Sequence, residues 1–414
     1  MPPENYNSPR WSGEFRDCSL PMTLDTYSAC SYRCLYCFSF FQKILGSSRA
    51  GYLRGDVQPV SVPGVKRLFT GADLSAESSM FAPYIRAGRA FQWGGLADQF
   101  DEYERKYGVT LELLKFFRER KQHISFSTKA TWWTLDSRYT DLFNGADFWH
   151  VKVSLITANE EYAKRVEVMV PTVRERIDAI RRLSGMGLHG VTLRFRPFII
   201  GISSPQHRQL IAMAADAGAN SVSTEFLCME TRAKIARSRY EAMGRLAGYD
   251  LLGFYKRNSS GAGYLRLNRD VKRKYMDDMQ DECAKRGLRF YVSDAHFKER
   301  SANGCCCGAG ESFPYSRGQF LEGLLIAKKN GQVRFSDIDP DLQVFGSGNC
   351  KYAMHSRIER RAQFDSFTLR QWMRWTWNSP NEPNSPYTYF GGVLIPCGRD
   401  ENDDVIYRYE KGPT

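Results

Sequence analysis

The regular succession of two kinds of segment constrains this chain most. β-prone runs at 90–93, 123–128, 148–156, 190–200 and 221–227 alternate with helical runs at 101–121, 136–144, 173–186 and 206–217. An apolar, β-prone run at 21–27 opens the series and makes six β/α units. Strands joined through helices pair in parallel, with right-handed crossovers. The expected fold class is α/β, a partial (β/α)6 TIM-like barrel with a C-terminal extension. Residues 1–20 read as a lead-in and 21–230 as the barrel. Within it, 46–90 is rich in Gly, Ser and Pro and reads as an insertion or a loosely structured crossover. Residues 231–300 form a basic helical segment ending in a strand at 288–292. Residues 301–414 form a cysteine- and aromatic-containing extension, with a helix at 317–329 stopped by Gly331.

Strands covered on both faces are usually apolar throughout, and these are not. Gln92 and Gly94, Ser125, Ser127 and Lys129, Lys152 and Ser154, Arg194 and Arg196, and Ser223 and Glu225 each share one face by the period of two. A filled barrel places branched apolar side chains inside. A polar inner face points instead to a cavity for a polar ligand; polar strand ends that merely meet solvent are the other reading.

The loop after the first strand reads Ser28-Ala-Cys-Ser-Tyr-Arg-Cys-Leu-Tyr-Cys-Phe38, which spaces Cys30, Cys34 and Cys37 as C-x3-C-x2-C. A helix at 35–44 follows. Three thiolates leave one unpaired if two form a disulfide, and a closed tetrahedral zinc site wants four ligands. They suit a cubane iron–sulfur cluster held at three irons, with the fourth open to a small molecule. A zinc knuckle and three buried thiols are the alternatives.

Eleven cysteines without the basic-then-apolar order of a signal peptide favour metal or redox chemistry over a disulfide framework. No apolar run reaches the ~18 residues of a membrane span. A soluble, cytoplasmic protein with no membrane partner is expected. The net charge of +12 is uneven: residues 231–300 hold 17 Lys and Arg against 9 Asp and Glu. That excess fits a nucleic-acid partner, although residues 269–285 mix both signs as a solvated helix face does.

The cysteine spacing, with Tyr36 just before the last cysteine, resembles the signature of the radical S-adenosylmethionine (SAM) superfamily. The middle of the chain resembles its spore photoproduct lyase-like subgroup through Trp93-Gly-Gly-Leu-Ala-Asp98, Ser127-Thr-Lys129, Val153-Ser-Leu-Ile-Thr157, Arg165 to Pro171, Arg174 to Ile177 and Arg194-Phe-Arg-Pro-Phe-Ile-Ile-Gly201. The likeness covers roughly residues 21–227, and an open six-unit barrel is what it implies. It also implies a 4Fe–4S cluster on Cys30, Cys34 and Cys37, with SAM as cosubstrate and a one-electron reductant such as flavodoxin or ferredoxin. Tyr36, Gly94, Gly95, Asp98 and Lys129 fall on positions that bind SAM in the family. Ser154 and Arg194 or Arg196 are placed to meet its ribose and carboxylate; the competing reading is an ion pair of either arginine with Glu167 or Glu225. The implied activity is reductive cleavage of SAM and hydrogen abstraction from a substrate carbon, on a nucleic acid base or nucleotide.

The tail adds Asn303-Gly-Cys-Cys-Cys-Gly308, Cys350 and Cys397. Three readings stand for Cys305, Cys306 and Cys307. Two of them with Cys350 bind a second iron–sulfur cluster; or Cys306 or Cys307, like Cys228 after the sixth strand, passes a hydrogen atom to a radical; or all are structural thiols. Arg357 to Arg361 and Gln371 to Trp377 interleave bases with aromatics, as a stacking platform for bases does. Trp372 and Trp375 equally form the buried face of a helix. The alternatives to a nucleic acid enzyme are a radical SAM enzyme of a peptide or small metabolite, and a zinc-dependent nucleic-acid-binding protein.

Overall fold

The computed structural model describes residues 6, 8–45, 49–260, 264–354 and 361–411. Eight strands form one open sheet whose order in space follows the chain. β1 (Arg10–Trp11) pairs antiparallel with β2 (Met22–Leu24). From there every pairing is parallel through β3 (Phe91–Trp93), β4 (Ile124–Thr128), β5 (Trp149–Ser154), β6 (Gly190–Phe198), β7 (Ser221–Phe226) and a last strand, Arg289–Val292. The six expected units are present. The strand of the basic segment joins the same sheet as a seventh parallel member, so the barrel runs on past residue 230.

Two expectations about the crossovers need correction. Within the 46–90 stretch the described residues form three helices, Arg49–Arg54, Val62–Leu74 and Ala82–Arg86. Ser61 caps the second of these and Pro63 stands in its first turn, where a missing N–H costs nothing. Its Phe69 packs on Phe91 of β3 at a ring separation of 5.8 Å, so the stretch is the crossover that covers the outer face. The helix expected over 101–121 is two, Glu102–Tyr107 and Val109–Glu119, divided at Gly108.

The two faces of the sheet differ as the period of two requires. Outward, Trp93, Phe126 and Trp149 stack across neighbouring strands at 5.3 and 5.4 Å, and Phe143 closes on Trp149 at 4.7 Å. Inward lie Ser125, His150, Thr192 and Ser221, all buried. These four form one relay: Ser125 Oγ is 2.9 Å from His150 Nδ1, His150 Nε2 is 2.7 Å from Thr192 Oγ1, and Thr192 Oγ1 is 2.7 Å from Ser221 Oγ.

At this lower end the polar face does not line a ligand cavity, because the tail fills it. Ser223 Oγ and Ser293 Oγ donate to the carbonyl of Cys306 at 2.8 and 3.2 Å, and Ser221 Oγ donates to that of Gly308 at 3.2 Å. Asn303 braces the turn by accepting from Cys305 N at 2.8 Å and donating to the Ala309 carbonyl at 2.9 Å. Gly308 has φ of +96°, and a Cβ there would lie 2.6 Å from Thr192 Oγ1. Phe313 completes the cover against His150 and His189, at ring separations of 5.9 and 4.8 Å. The turn thus reaches as high as Ser223, which is in register with Arg194 and Ser154 near the C-terminal strand ends.

The rest of the tail is a small core of its own around Trp377. That indole packs against Phe320, Phe335 and Tyr407. The helix bearing Phe320 spans Phe320–Asn330, three residues shorter at its start than expected. In the helix Leu369–Trp377 both Trp372 and Trp377 are buried, and Trp375 packs on Phe364, so these aromatics are core. Residues 355–360, which include most of the basic run beside them, lie outside the described residues. So do 261–263, in the expected loop.

Many cations of the basic segment are paired within the protein: Arg232 with Glu230, Arg269 with Glu299, Arg286 with Glu282, and Arg300 with Asp277. Lys272 ties the helix Arg269–Lys285 to the end of the last strand, donating to Asp294 Oδ1 at 2.6 Å. It also lies 3.0 Å from His296 Nδ1. An ammonium only donates, so Nδ1 accepts and the ring is neutral. Among the described residues no helix is long and apolar enough to cross a membrane.

Two outcomes follow. Gly308→Ala should lower unfolding stability by roughly 2–4 kcal/mol, since φ and space are both wrong for a side chain; an unchanged urea midpoint would show that the turn is not seated against the strands. Burial, with Lys272 adding to it, holds His296 down at about 4. Its stabilisation is therefore complete above the ordinary histidine value and lost as pH falls toward 4. Parent protein should lose about 2 kcal/mol more than His296→Gln between pH 7 and pH 4, read from urea unfolding at each pH.

Candidate functional site

The cysteine loop leaves the C-terminal end of β2 and enters the helix Phe38–Leu45, which starts three residues later than expected. The loop has little regular structure of its own and is held from outside. Asp101 Oδ2 accepts from Ser31 N at 2.6 Å, Leu35 N donates to the Val166 carbonyl at 2.9 Å, and Arg239 Nη1 donates to the Cys34 carbonyl at 3.1 Å. Arg239 also lies 3.5 Å over the ring of Phe40. Asp101 is in turn the cap of Glu102–Tyr107, accepting from Tyr103 N at 2.9 Å. Beneath it Glu104 gathers the hydroxyl of Tyr139 at 2.7 Å and the amides of Thr110 and Leu111 at 2.7 and 2.9 Å.

Cys34 is buried, and Cys30 and Cys37 are partly exposed. Burial pushes the Cys34 thiol up to about 12. Burial raises that of Cys30 too, and the charges of Asp101, Asp98, Cys34 and Cys37 add to it. The three sulfurs thus sense one another, but among the described residues no three His, Cys, Asp or Glu side chains are arranged to hold a metal ion. Alone, Cys30 and Cys34 are thiols at neutral pH. A cationic cluster would reverse that, because a thiol that ligates a metal is deprotonated. Three soft donors on one loop at the mouth of a polar face fit such a group.

The glycine stretch lies beside this loop. Ser39 Oγ, in the helix after the cysteines, donates to the Leu96 carbonyl at 2.6 Å. Asp25 Oδ1 accepts from the amides of Leu96 and Ala97 at 2.7 and 3.1 Å, while its other oxygen takes Arg10 Nη2 at 3.0 Å. Gly94 has φ of +87°, and a Cβ there would meet Gln99 Oε1 and, at 2.8 Å, the Ser127 carbonyl. One on Gly95 would come within 2.5 Å of Thr23 Cγ2. Both positions need glycine for the loop to run so close to β2 and β4.

Asp98 is buried and fully engaged inside the protein. It accepts from Thr128 Oγ1 at 2.9 Å, Lys129 N at 2.6 Å and Phe100 N at 3.1 Å. Burial raises its carboxyl although these donors pull the other way. Its observed task is to pin the end of the glycine loop to the end of β4. Lys129 extends over the ring of Tyr36 at 5.8 Å. Burial works against its charge and Cys34, Glu167 and Asp98 outweigh that, so its ammonium is held above the usual lysine value.

Ser154, Arg194 and Ser223 are neighbours across β5, β6 and β7. Arg196 is ion-paired with Glu225, as the competing reading had it. Glu167 pairs with Arg176 instead. Arg194 has no carboxylate partner among the described residues, and burial, with Arg196 beside it, lowers it to about 10. Lys152, one step down the face, is fully buried and donates to Gln92 Oε1. A guanidinium and an ammonium thus share one inner face, and the Cys307 sulfur lies within electrostatic reach of both.

The remaining thiols divide. Cys228 follows β7, its thiol pushed up to about 12 by burial and directed at the Phe226 carbonyl. Cys306 and Cys307 lie in the tail turn. Thiol hydrogen bonds from Cys305 and Cys306, with Lys152 and Arg194 nearby, push Cys307 well down against the effect of burial. Cys18, from the lead-in, lies within electrostatic reach of Cys307. Cys350 does not join this group: its thiol donates to the Phe364 carbonyl at 3.3 Å, with Asp365 nearby. Asp25, Asp101 and Cys18 carry no local signal in the sequence, and only their distant partners reveal their roles.

No protein-family model and no curated protein matches the sequence. Among solved structures, the chain is similar to a spore photoproduct lyase variant with bound AdoMet and dinucleoside spore photoproduct. The identity is 16% and the TM-score 0.49, over 67% of this chain and 77% of that one. It is similar to spore photoproduct lyase complexed with dinucleoside spore photoproduct at 16% identity and a TM-score of 0.47, over 66% of this chain and 76% of that one. It is also similar to Streptococcus suis SuiB bound to precursor peptide SuiA at 13% identity and a TM-score of 0.41, over 68% of this chain and 51% of that one.

Asp98→Ala should destabilise protein purified without iron by about 3 kcal/mol, because it strands several buried donors. A purely ligand-binding aspartate would leave the urea midpoint of that protein where it was.

Proposed function

We propose that this protein is a radical SAM enzyme. Cys30, Cys34 and Cys37 would hold a 4Fe–4S cluster, and the substrate would be a nucleic acid base or nucleotide. The observation that carries the reading is the C-x3-C-x2-C loop at the C-terminal end of β2, joined through Ser39 and Leu96 to a glycine stretch that no side chain could replace. When bound, the cluster and SAM supply a one-electron reductive cleavage that yields a hydrogen-abstracting radical.

The chain's own part is binding, orientation and shielding. Gly94 and Gly95 let backbone approach the amino group of SAM without a Cβ between them. Arg194, which has no carboxylate partner among the described residues, would offer its planar fork to a carboxylate, and Ser154 stands beside it for a hydroxyl. Arg196 is already engaged by Glu225 and is the weaker candidate of the two arginines. Tyr36 and Lys129 flank the cysteines. Cys228, Cys306 and Cys307 are the candidates for returning a hydrogen atom, Cys307 the weakest because its thiol is held well down and a thiolate has no hydrogen atom to give; a flavodoxin or ferredoxin would be the reductant. The tail filling the lower barrel limits the substrate to what enters from the upper mouth.

The nucleic acid part rests on the basic 231–300 segment and the resemblance of the middle of the chain. Many of those cations are paired internally, which weakens that support. A peptide or small-metabolite substrate is the second reading. Its second cluster would have to form on Cys305–Cys307 with Cys18, since Cys350 lies with Phe364.

The test is anaerobic reconstitution with iron and sulfide, then dithionite and SAM. The parent should form 5′-deoxyadenosine, and the variant with Cys30→Ala, Cys34→Ala and Cys37→Ala should form none and lose the iron counted on that loop. Zinc in place of iron, or product from the triple variant, would end the proposal. Salt-dependent binding of a short DNA would support the nucleic acid substrate, and its absence would favour the second reading.

A further inference from the structure

We propose that Glu167 and Arg176 are positioning residues for the cysteine loop, acting through Tyr36. This rests on the reading of that loop as the cluster site, but its first test does not. The hydroxyl of Tyr36 donates to Glu167 Oε1. Glu167 Oε2 lies 2.7 Å from Arg176 Nη1, and both side chains are essentially without exposure, at 0% and 1%. Arg176 Nη1 also donates to the Ser154 carbonyl at 2.9 Å, so the arginine joins the carboxylate to the end of β5. The backbone repeats the connection, since Cys34 bridges Glu167 and Leu35 N donates to Val166. One buried pair thus fixes the loop, the helix Glu160–Val166, the start of the helix Val173–Ser184 and the strand that carries Ser154.

A pair buried at both ends contributes little net stability, because desolvation offsets most of the Coulomb attraction. What it supplies is direction. Each partner is intolerant of displacement, since a shift leaves a buried charge uncompensated. The Arg176 end is itself placed by local structure. It lies in the first turns of a helix whose start is fixed by the Thr172–Glu175 capping box, and Glu160 accepts from the amides of Val173 and Arg174 at 2.9 Å. On the far side, Lys129 lies over the Tyr36 ring and Arg239 holds the Cys34 carbonyl. Tyr36 is therefore gripped at its hydroxyl and its face, and its hydroxyl also lies within reach of the Cys34 sulfur. The consequence is that the spacing of Cys34 and Cys37 relative to Ser154 and Arg194 is set by a carboxylate that belongs to neither.

Tyr36→Phe removes one hydroxyl, and Glu167→Gln removes the charge while keeping the shape. Both are compared with parent protein purified without iron, by hydrogen exchange in the peptide covering residues 30–37. Exchange there should quicken about tenfold in Tyr36→Phe, the effect of one lost hydrogen bond, and more in Glu167→Gln. The same proteins are then reconstituted anaerobically, and iron per chain and the electron paramagnetic resonance spectrum with and without SAM are recorded. The variants should bind less iron or show an altered response to SAM. Should Glu167→Gln fail to fold, Tyr36→Phe carries the comparison alone. Parent-like exchange in 30–37, or a lower melting temperature with an unchanged spectrum, overturns the proposal. A parent that takes up no iron overturns the cluster reading, and the exchange data then decide the positioning role by themselves.

Discussion

A parallel sheet with one polar face must satisfy every buried hydroxyl, amide and charge on that face, and this requirement organises the molecule. The outer face raises less of a problem: Trp93, Phe126 and Trp149 pack ring on ring, and the two indole N–H groups are satisfied by Thr26 Oγ1 and the Gln122 carbonyl. The inner face cannot collapse on itself in the same way, because an unpaired polar group there costs as much as a lost hydrogen bond. The chain answers it in two ways. Low in the barrel the tail turn at Cys305–Gly308 offers carbonyls to Ser221, Ser223 and Ser293. Higher up, Arg196 meets Glu225 and Lys152 meets Gln92, while Arg194 has no carboxylate partner among the described residues.

The mouth is built by the same economy of buried carboxylates. Asp25 and Asp98 hold the glycine stretch at either end, Asp101 holds the start of the cysteine loop, and Glu167 holds its aromatic. None is solvated enough to act as an ordinary surface charge. Each accepts from backbone amides or from hydroxyls, which is how an irregular loop of glycines and cysteines keeps one conformation without secondary structure. The proposed chemistry would need such rigidity, since a radical must be held against one carbon and away from water.

The thiols show how little composition says about grouping. Cys305, Cys306 and Cys307 are adjacent in sequence and hydrogen-bond through sulfur around Cys307. Their fourth neighbour is Cys18, brought there because the lead-in pairs with the tail: Ser316 N donates to the Ser19 carbonyl and Phe320 N to that of Arg16. Cys350 belongs to a different cluster of side chains around Phe364. Likewise the tryptophans of Gln371 to Trp377, read as a stacking platform or, for Trp372 and Trp375, as a core stripe, pack inward: Trp377 covers Tyr407 of the Gln332–Val333, Leu394–Arg399 and Val405–Tyr409 sheet, Trp372 meets Phe15 and Trp375 meets Phe364.

By itself the sequence determined the alternation of strand and helix, hence the parallel sheet, and the polar period on one face of it. It also determined the thiol spacing, and the need for glycine at 94 and 95 was visible as a pair of residues without side chains. These are local properties, fixed by neighbours a few positions apart. Tertiary structure decided what the polar face is for, half of it being consumed by a turn about a hundred residues away. It decided too that Asp98 braces rather than reaches outward, that the arginine with a carboxylate is Arg196 and not Arg194, and that Ser31 and Tyr36 find Asp101 and Glu167, partners 70 and 131 residues distant. Contacts at such separations leave no periodicity in the chain, because only the folded sheet and its crossovers bring their ends together.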